Sequence, residues 1–155
     1  MEKKIIDNLL QFKSLKGTHL GYSNWTKVDQ EKINNFASAT KDFQWIHTDI
    51  NKVKIDSPYK TTIAHGYYTL SLLPIFFSEV WECKKIGLIL NYGSEKIRFI
   101  SPVLCNSEIR ASISLLDAYD YKKGLMLKSK VDIEIKDSEK LAMSAVTLSL
   151  MFDNK

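Results

Sequence analysis

The sequence predicts an α+β domain in which an antiparallel sheet packs around one apolar helix. The second half of the chain contains four segments rich in Ile, Val, Leu and Ser, joined by short turns, at 86–100, 107–119, 124–136 and 140–152. An almost uncharged helical stretch, 66–82, comes before them. Strands joined by short connections pair antiparallel, and an apolar helix beside them is buried only if it lies across the sheet.

The first part of the chain is predicted to hold two helices. Apolar residues in the segment 3–12 have spacings that suit one face of a short leading helix. Asp29 is a suitable N-cap for a second helix, 30–39, in which Ile33 and Ala37 lie one turn apart on a buried face.

A long polar segment, 40–60, separates these helices from the apolar one. It contains several aspartates, a histidine and a Ser-Pro pair, so we expect a functional loop with one helical turn near 49–54. The apolar helix 66–82 carries Pro74 in its interior, where a proline removes a backbone hydrogen bond. We therefore expect a kink there.

Composition and charge limit the class of protein. Residues 1–155 suit a single domain, and the net charge of +4 comes from basic residues that are spread along the chain, which gives no basic stripe for nucleic acid. Cys83 and Cys105 are too few for a disulfide scaffold, so we expect a reducing compartment. Asp7 and Asn8 interrupt the N-terminal apolar stretch before it could form a signal peptide, and no apolar run approaches the ~20 residues of a membrane span. These features predict a soluble, cytoplasmic protein with no nucleic-acid or membrane partner.

The spacing of potential ligands gives no support to metal or cofactor chemistry. His19, His47 and His65 do not occur at a metal-binding spacing such as His-Glu-x-x-His. The 6 glycines are scattered and form no phosphate-binding loop. We therefore predict no metal and no cofactor.

Asp42 and His47 form the first candidate site. They lie five residues apart in the polar segment, close enough to hold one water between a carboxylate and an imidazole, which suits proton transfer. The alternative is structural: Asp42 caps a local turn and His47 is a hydrogen-bonded surface residue. Spacing alone does not decide between them.

His65 and Gly66 form the second candidate, at the start of the apolar helix. The first N–H groups of a helix have no partner within it, and a glycine lets a ligand oxygen approach closely, so the Gly66 N–H could stabilise an oxyanion. The alternative is that Gly66 only permits tight packing and that His65 caps the helix. For His65 the capping role is preferred.

Three motifs follow one another along the chain: Asp42-x-x-x-x-His47, then TTIAHGYYTLSLL at 61–73, then Asn91-Tyr92-Gly93 before Arg98-Phe99-x-x-Pro102-Val103. With them, from about Trp25 to Ile109, the chain resembles the MaoC-like dehydratases, and most of all their nodulation-protein-N-like branch. Characterised members of the family are (R)-specific enoyl-CoA hydratases. The resemblance implies a hot-dog fold, a long antiparallel sheet wrapped around a central helix.

The resemblance also implies roles for particular residues. The catalytic Asp and His of the family correspond to Asp42 and His47, which would activate a water that adds to C3 of a trans-2-enoyl thioester. Which of the two acts as base and which as acid stays open. The Gly66 N–H would hold the thioester carbonyl beside His65, and Tyr92 and Asn91 would lie on a strand that faces the substrate, where cross-strand packing is an equal alternative.

Two departures from the hydratase pattern concern the surroundings of these residues. The glycine before the catalytic Asp is replaced by Lys41, and the serine that some hydratases carry further along the helix is replaced by Pro74. Ser71 is then a candidate for an assisting hydroxyl. A third departure is the Gln44-Trp45 pair, which stands where the hydratase signature has Asn-Pro and is typical of the nodulation-protein branch.

Other functions remain to be separated from a hydratase. A hot-dog acyl-CoA thioesterase would set a carboxylate against the carbonyl carbon, and a non-catalytic module would only bind the acyl thioester. The predicted partner in each case is an acyl thioester of CoA or acyl-carrier protein. Family members complete the substrate tunnel with a second subunit, so a homodimer is also predicted.

Overall fold

Long strands make up most of the structure. The computed structural model describes residues 3–154. The strands in these residues are β1 (Lys4–Ile6), β2 (His19–Tyr22), β3 (Thr26–Lys27), β4 (Trp81–Cys83), β5 (Ile86–Phe99), β6 (Glu108–Tyr121), β7 (Gly124–Ile135) and β8 (Leu141–Asp153). The helices are α1 (Gln11–Ser14), α2 (Gln30–Thr40), α3 (Trp45–Thr48), α4 (Ile50–Asp56), α5 (Gly66–Ser71) and α6 (Leu73–Val80).

A six-stranded antiparallel sheet confirms the predicted fold class. Its strands lie in the order β2-β6-β7-β8-β5, and β3 pairs with β6 beside β2. The four long strands lie within about two residues of the predicted segments. Their alternation is clearest in β6, where Ile109, Ala111, Ile113 and Leu115 are fully buried on one face.

Helices α5 and α6 lie against this sheet and fill its concave side. Leu73, Phe76 and Val80 are buried in the core, with Tyr68 one turn before them. The kink predicted at Pro74 is confirmed as an interruption at Leu72, which ends α5 and precedes α6. The predicted helix is too long by two residues, because the chain becomes extended at Trp81 and forms β4.

The leading helix predicted over 3–12 is wrong. Residues Lys4–Ile6 form β1, which pairs in parallel with β4, and helix begins only at Gln11. Ile6 is fully buried in this arrangement, whereas Ile5 points outward. The pairing with β4 provides backbone hydrogen bonds that a short isolated helix could not match.

Two capping aspartates define the helices around the polar segment. Asp29 accepts a hydrogen bond from the Lys32 N–H at 3.0 Å and begins α2, as predicted. Asp49 accepts from the N–H groups of Asn51 and Lys52 and begins α4. The segment predicted as a loop with one helical turn therefore contains two short helices, α3 and α4.

Strand β5 is the exposed edge of the large sheet. Almost all of its 14 residues are exposed, including Leu88, Leu90 and Phe99. Tyr67 and Ile75, on the neighbouring helices, are exposed as well, although the sequence predicted a helix buried nearly all round. We call these five exposed apolar residues, on β5 and on the helices beside it, the edge strip. Within residues 3–154, no helix is long and apolar enough to cross a membrane.

Candidate active site

The structure brings Asp42, His47 and His65 together. Each offers one nitrogen or oxygen atom, and these atoms all lie within 4.8 Å of one another. Asp42 follows Lys41, which adopts a left-handed conformation (φ 63°) and turns the chain at the end of α2. His47 lies in α3 and His65 directly precedes α5, so three elements meet at this point.

His47 is buried and held through both its ring and its backbone. Its Nδ1–H donates to the carbonyl oxygen of Ile63 at 2.7 Å, which leaves Nε2 as the ring nitrogen with a free lone pair. The side-chain amide of Gln30 donates to the His47 carbonyl oxygen at 2.9 Å. Burial lowers the pKa of His47 below its usual 6.5, and the neighbouring His65 adds to this effect.

Asp42 has the opposite environment, because its carboxylate is about half exposed. One carboxylate oxygen accepts from the N–H of Gln44 at 3.3 Å, as in an Asx turn. The turn predicted as an alternative role for Asp42 is therefore present. It occupies one oxygen, and the second carboxylate oxygen faces the Nε2 of His65 at 3.9 Å.

His65 is buried between the other two groups. Its Nε2–H donates to the main-chain carbonyl oxygen of Asp42 at 3.0 Å. Its ring stacks on that of His47, with centroids 3.7 Å apart and planes 26° apart. His65 is the N-cap residue of α5, as predicted, but its side chain forms no capping hydrogen bond.

The cluster also has the composition of a metal site, which the residue spacing did not predict. The hydrogen bonds in the structure compete with that use: Nδ1 of His47 is bound to Ile63 and Nε2 of His65 to Asp42. The remaining nitrogen of His65 is buried. Two ring nitrogens of this pair thus form no hydrogen bond to a described residue, Nε2 of His47 and the buried Nδ1 of His65.

A cavity of about 310 Å³ lies beside this cluster. His47 and Gly66 line it from one side, and Phe99, Ile100 and Pro102 from the other. A methyl group added at Gly66 would come within about 3.0 Å of the Phe99 ring, so a side chain here would require that ring to shift. Gly66 is also the first residue of α5, where the helix has no acceptor for its N–H.

The other predicted residues lie elsewhere in this chain. Asn91 lines a separate cavity of about 340 Å³ together with Phe77 and Trp81. The Tyr92 hydroxyl is hydrogen-bonded to that of Tyr121 at 2.8 Å. The hydroxyl of Ser71 donates to a carbonyl oxygen in its own helix.

Gln30 is the site residue that sequence reasoning missed. Besides the His47 carbonyl, it contacts the buried hydroxyl of Thr62, which donates to its Oε1 at 2.5 Å. A polar first residue in a helix is ordinary, so the sequence contained no signal for this role. The contact depends on α2 packing against α3.

Comparisons with known proteins agree with this architecture. The family model described as "MaoC like domain" matches residues 11–135. A 3-hydroxyacyl-thioester dehydratase Z of Mycobacterium tuberculosis is 35% identical over 94% of this chain and 96% of its own length. Nodulation protein N of Rhizobium meliloti is 37% identical over 89% of this chain and 87% of its own length.

The fold is also found among solved structures. An (R)-hydratase of Pseudomonas aeruginosa superimposes with a TM-score of 0.71 at 15% identity, over 86% of this chain and 81% of that one. The hot-dog arrangement implied by the sequence motifs is thereby confirmed. The extent of the family match and the identity to its relatives show that the chain belongs to the MaoC-like domain family.

Proposed function

We propose that this protein is a hydro-lyase that catalyses the (R)-specific hydration of a trans-2-enoyl thioester, or the reverse dehydration, with the acyl group carried by CoA or acyl-carrier protein. The observation that carries the proposal is the close approach of Asp42 and His47 beside a cavity that Gly66 also lines. A relative named 3-hydroxyacyl-thioester dehydratase, similar over nearly its whole length, supports the same type of reaction.

The ring of His47 is suited to accept a proton from water. Its Nδ1–H is committed to Ile63, so the lone pair on Nε2 is available, and its lowered pKa keeps the ring neutral near pH 7. Asp42 would hold the same water with its carboxylate. The water oxygen forms a bond to C3, the C2–C3 π pair shifts toward the thioester carbonyl, and the proton taken from water is balanced by a proton delivered to C2.

Gly66 would stabilise the enolate oxygen formed between these steps. Its N–H stands at the start of α5, where the partial positive charge of the helix end favours an anion. A side chain at this position would narrow the space between the helix and Phe99. The proposed site would therefore combine proton transfer at His47 with an oxyanion donor at Gly66, two residues that line the same cavity.

We also propose that the functional unit is a homodimer formed through the edge strip. Strand β5 has an unpaired edge of 14 residues, which leaves a row of backbone donors and acceptors free. The exposed side chains of the edge strip are largely apolar, and such a surface is typical of an interface between chains. A second copy would cover both the strand edge and the exposed side of α5 and α6.

Hydration of short and medium trans-2-enoyl-CoA substrates tests the activity, followed as loss of the conjugated enoyl absorbance. We expect turnover by the wild type and a loss of about 10²- to 10⁴-fold in Asp42→Asn and His47→Ala. Asp120→Asn and His19→Ala are matched controls, because both side chains are exposed and lie outside the cavity lining.

Three outcomes would contradict the proposal. Absence of turnover in the wild type would favour a non-catalytic binding module. Release of free thiol would favour a thioesterase. Full activity in both dyad variants would place the chemistry on other residues.

A further inference from the structure

We propose that His65 is a positioning residue that fixes Asp42 and His47 relative to each other. The inference rests on the proposed function, since it assigns a role within the same site. His65 is 3% exposed and contacts both partners: it bonds to the backbone of one and stacks on the ring of the other. It does not line the cavity that His47 and Gly66 share, and its ring nitrogens are not free to face a substrate there, since Nε2 is hydrogen-bonded to Asp42 and Nδ1 is buried.

The hydrogen bond from His65 holds the loop that carries Asp42. Lys41 and Asp42 follow the last residue of α2, and the Asp42 side chain is exposed, so packing does little to fix this turn. The bond from Nε2 to the Asp42 carbonyl oxygen joins the turn to the start of α5, 23 residues further along the chain. Because it uses the main-chain oxygen, it leaves the carboxylate free for a water.

The stacking of the His65 ring on the His47 ring holds His47 in place. His47 lies on one side of the His65 ring at a centroid distance of 3.7 Å, and Phe36 contacts the same ring at 5.1 Å. The His47 ring is fixed at its edge by the bond to Ile63 and on its face by His65. Rotation of the His47 ring would therefore break its hydrogen bond to Ile63 or separate it from the His65 ring.

The tautomer of His65 argues against a direct part in proton transfer. A bond to a carbonyl oxygen requires the proton on Nε2, so the lone pair of the neutral ring is on Nδ1. That Nδ1 is buried and has no hydrogen-bond partner within the described chain. Neither ring nitrogen can reach a substrate in the cavity without a rearrangement.

The pKa of His47 provides a second readout, because it depends on the charges that face this ring as well as on its burial. The titratable groups that face His47 are His65, from the start of α5, and Asp42, from the turn after α2; the contact from α2 itself is the uncharged Gln30. A positive charge on His65 would oppose protonation of His47, whereas Asp42 favours it. Replacing His65 should therefore move the acid limb of the kcat/KM profile to higher pH.

Two variants separate the hydrogen bond from the ring stack. His65→Gln retains a donor near the position of Nε2 but removes the aromatic ring, and His65→Phe retains the ring but removes the donor. With a trans-2-enoyl-CoA substrate we expect kcat to fall roughly 10- to 100-fold in His65→Phe, because displacement of a catalytic group by about 1 Å has effects of this size. KM should change less than threefold, and His65→Gln should recover part of kcat. His19→Phe and His19→Gln are the controls.

The kinetic result would overturn the proposal in two ways. Wild-type kcat and an unmoved acid limb in both variants would show that the contacts have no effect on the dyad. A rise in KM with unchanged kcat would identify His65 as a substrate-binding residue instead.

Nitrogen NMR of the wild-type histidine rings tests the geometry without any variant. We expect the proton on Nε2 in His65 and on Nδ1 in His47. A proton on Nδ1 of His65 would overturn the proposal even if both variants failed to fold. If the wild type had no hydratase activity, the proposed function would fail, while the two tautomers would still report on the positioning contacts.

Discussion

Replacement of Gln30 tests how the backbone of the site is held. Its amide donates to the His47 carbonyl oxygen and to Asn34 Oδ1, both at 2.9 Å, and its Oε1 accepts from the Thr62 hydroxyl. Thr62 and His47 are only 2% and 6% exposed. Gln30→Leu has a similar volume but leaves one buried hydroxyl and one buried carbonyl without partners.

The loss of stability in Gln30→Leu follows from the unpaired Thr62 hydroxyl and His47 carbonyl. A buried polar group that loses its partner costs about 1–3 kcal/mol, so Gln30→Leu should lower the free energy of unfolding by about 2–6 kcal/mol. The Asn34 side chain is exposed and can hydrogen-bond to water instead, so the loss of its contact with Gln30 adds little to the change in free energy of unfolding. With a urea dependence of about 1–3 kcal/mol per molar, the unfolding midpoint should fall by about 2 M.

Urea unfolding followed by circular dichroism measures this change. All variants should be compared at one protein concentration, because the proposed association of subunits would contribute to apparent stability. Asn34→Ala should change the free energy by less than about 0.5 kcal/mol, as expected for an exposed position. The double variant Gln30→Leu/Thr62→Val should recover about half of the loss, because it removes the unpaired hydroxyl. A loss below about 1 kcal/mol in Gln30→Leu, or no recovery in the double variant, would refute the reasoning.

Three further predictions concern pH, packing and association. Because burial lowers the pKa of His47 below 6.5, kcat/KM should fall with acidification only below that pH. The folded state should also lose stability from about pH 6.5 downward, since the unfolded chain then binds a proton that the folded chain does not. Titrations of activity and of stability with pH, in wild type and His47→Ala, measure both effects, and an acid limb of kcat/KM at or above pH 6.5 would contradict the first. Gly66→Ala should push the Phe99 ring into the cavity and raise KM, and the double variant Gly66→Ala/Phe99→Leu should return KM toward the wild-type value. A wild-type KM in the single variant would contradict this prediction. We expect the wild type to be a dimer in light scattering after size exclusion, as proposed, and Leu90→Lys to be a monomer; a variant that stays dimeric would exclude this edge as the interface.

The sequence was sufficient where structure depends on local patterns. Asp29 could be identified as a helix cap and Pro74 as an interruption, because both effects act within one or two turns. The long strands were visible as apolar alternation. The helix predicted over 3–12 was wrong because β1 depends on pairing with β4, which lies almost eighty residues away in the chain.

The residues of the candidate site could also be predicted from the sequence only in part. Asp42, His47 and Gly66 are predicted as site residues from the resemblance; the fold brings Asp42 close to His47, and Gly66 lines the same cavity as His47. His65 is the N-cap residue of α5, as predicted, but the contacts of its side chain could not be predicted, because its ring turns toward His47 in an arrangement that depends on how α3 meets α5. Gln30 could not be found, since a buried hydrogen bond to a distant carbonyl leaves no pattern in the sequence.

Phe99 belongs to two surfaces at once. Its ring lines the cavity beside His47, and 46% of the residue is exposed as part of the edge strip. In the proposed homodimer, a second copy that covers the edge strip would also fix one wall of the cavity. Thermodynamic reciprocity then requires that any thioester which binds the dimer more tightly than the monomer strengthens subunit association by the same factor. The concentration of this protein would thus help to set its affinity for substrate, without a separate regulatory site.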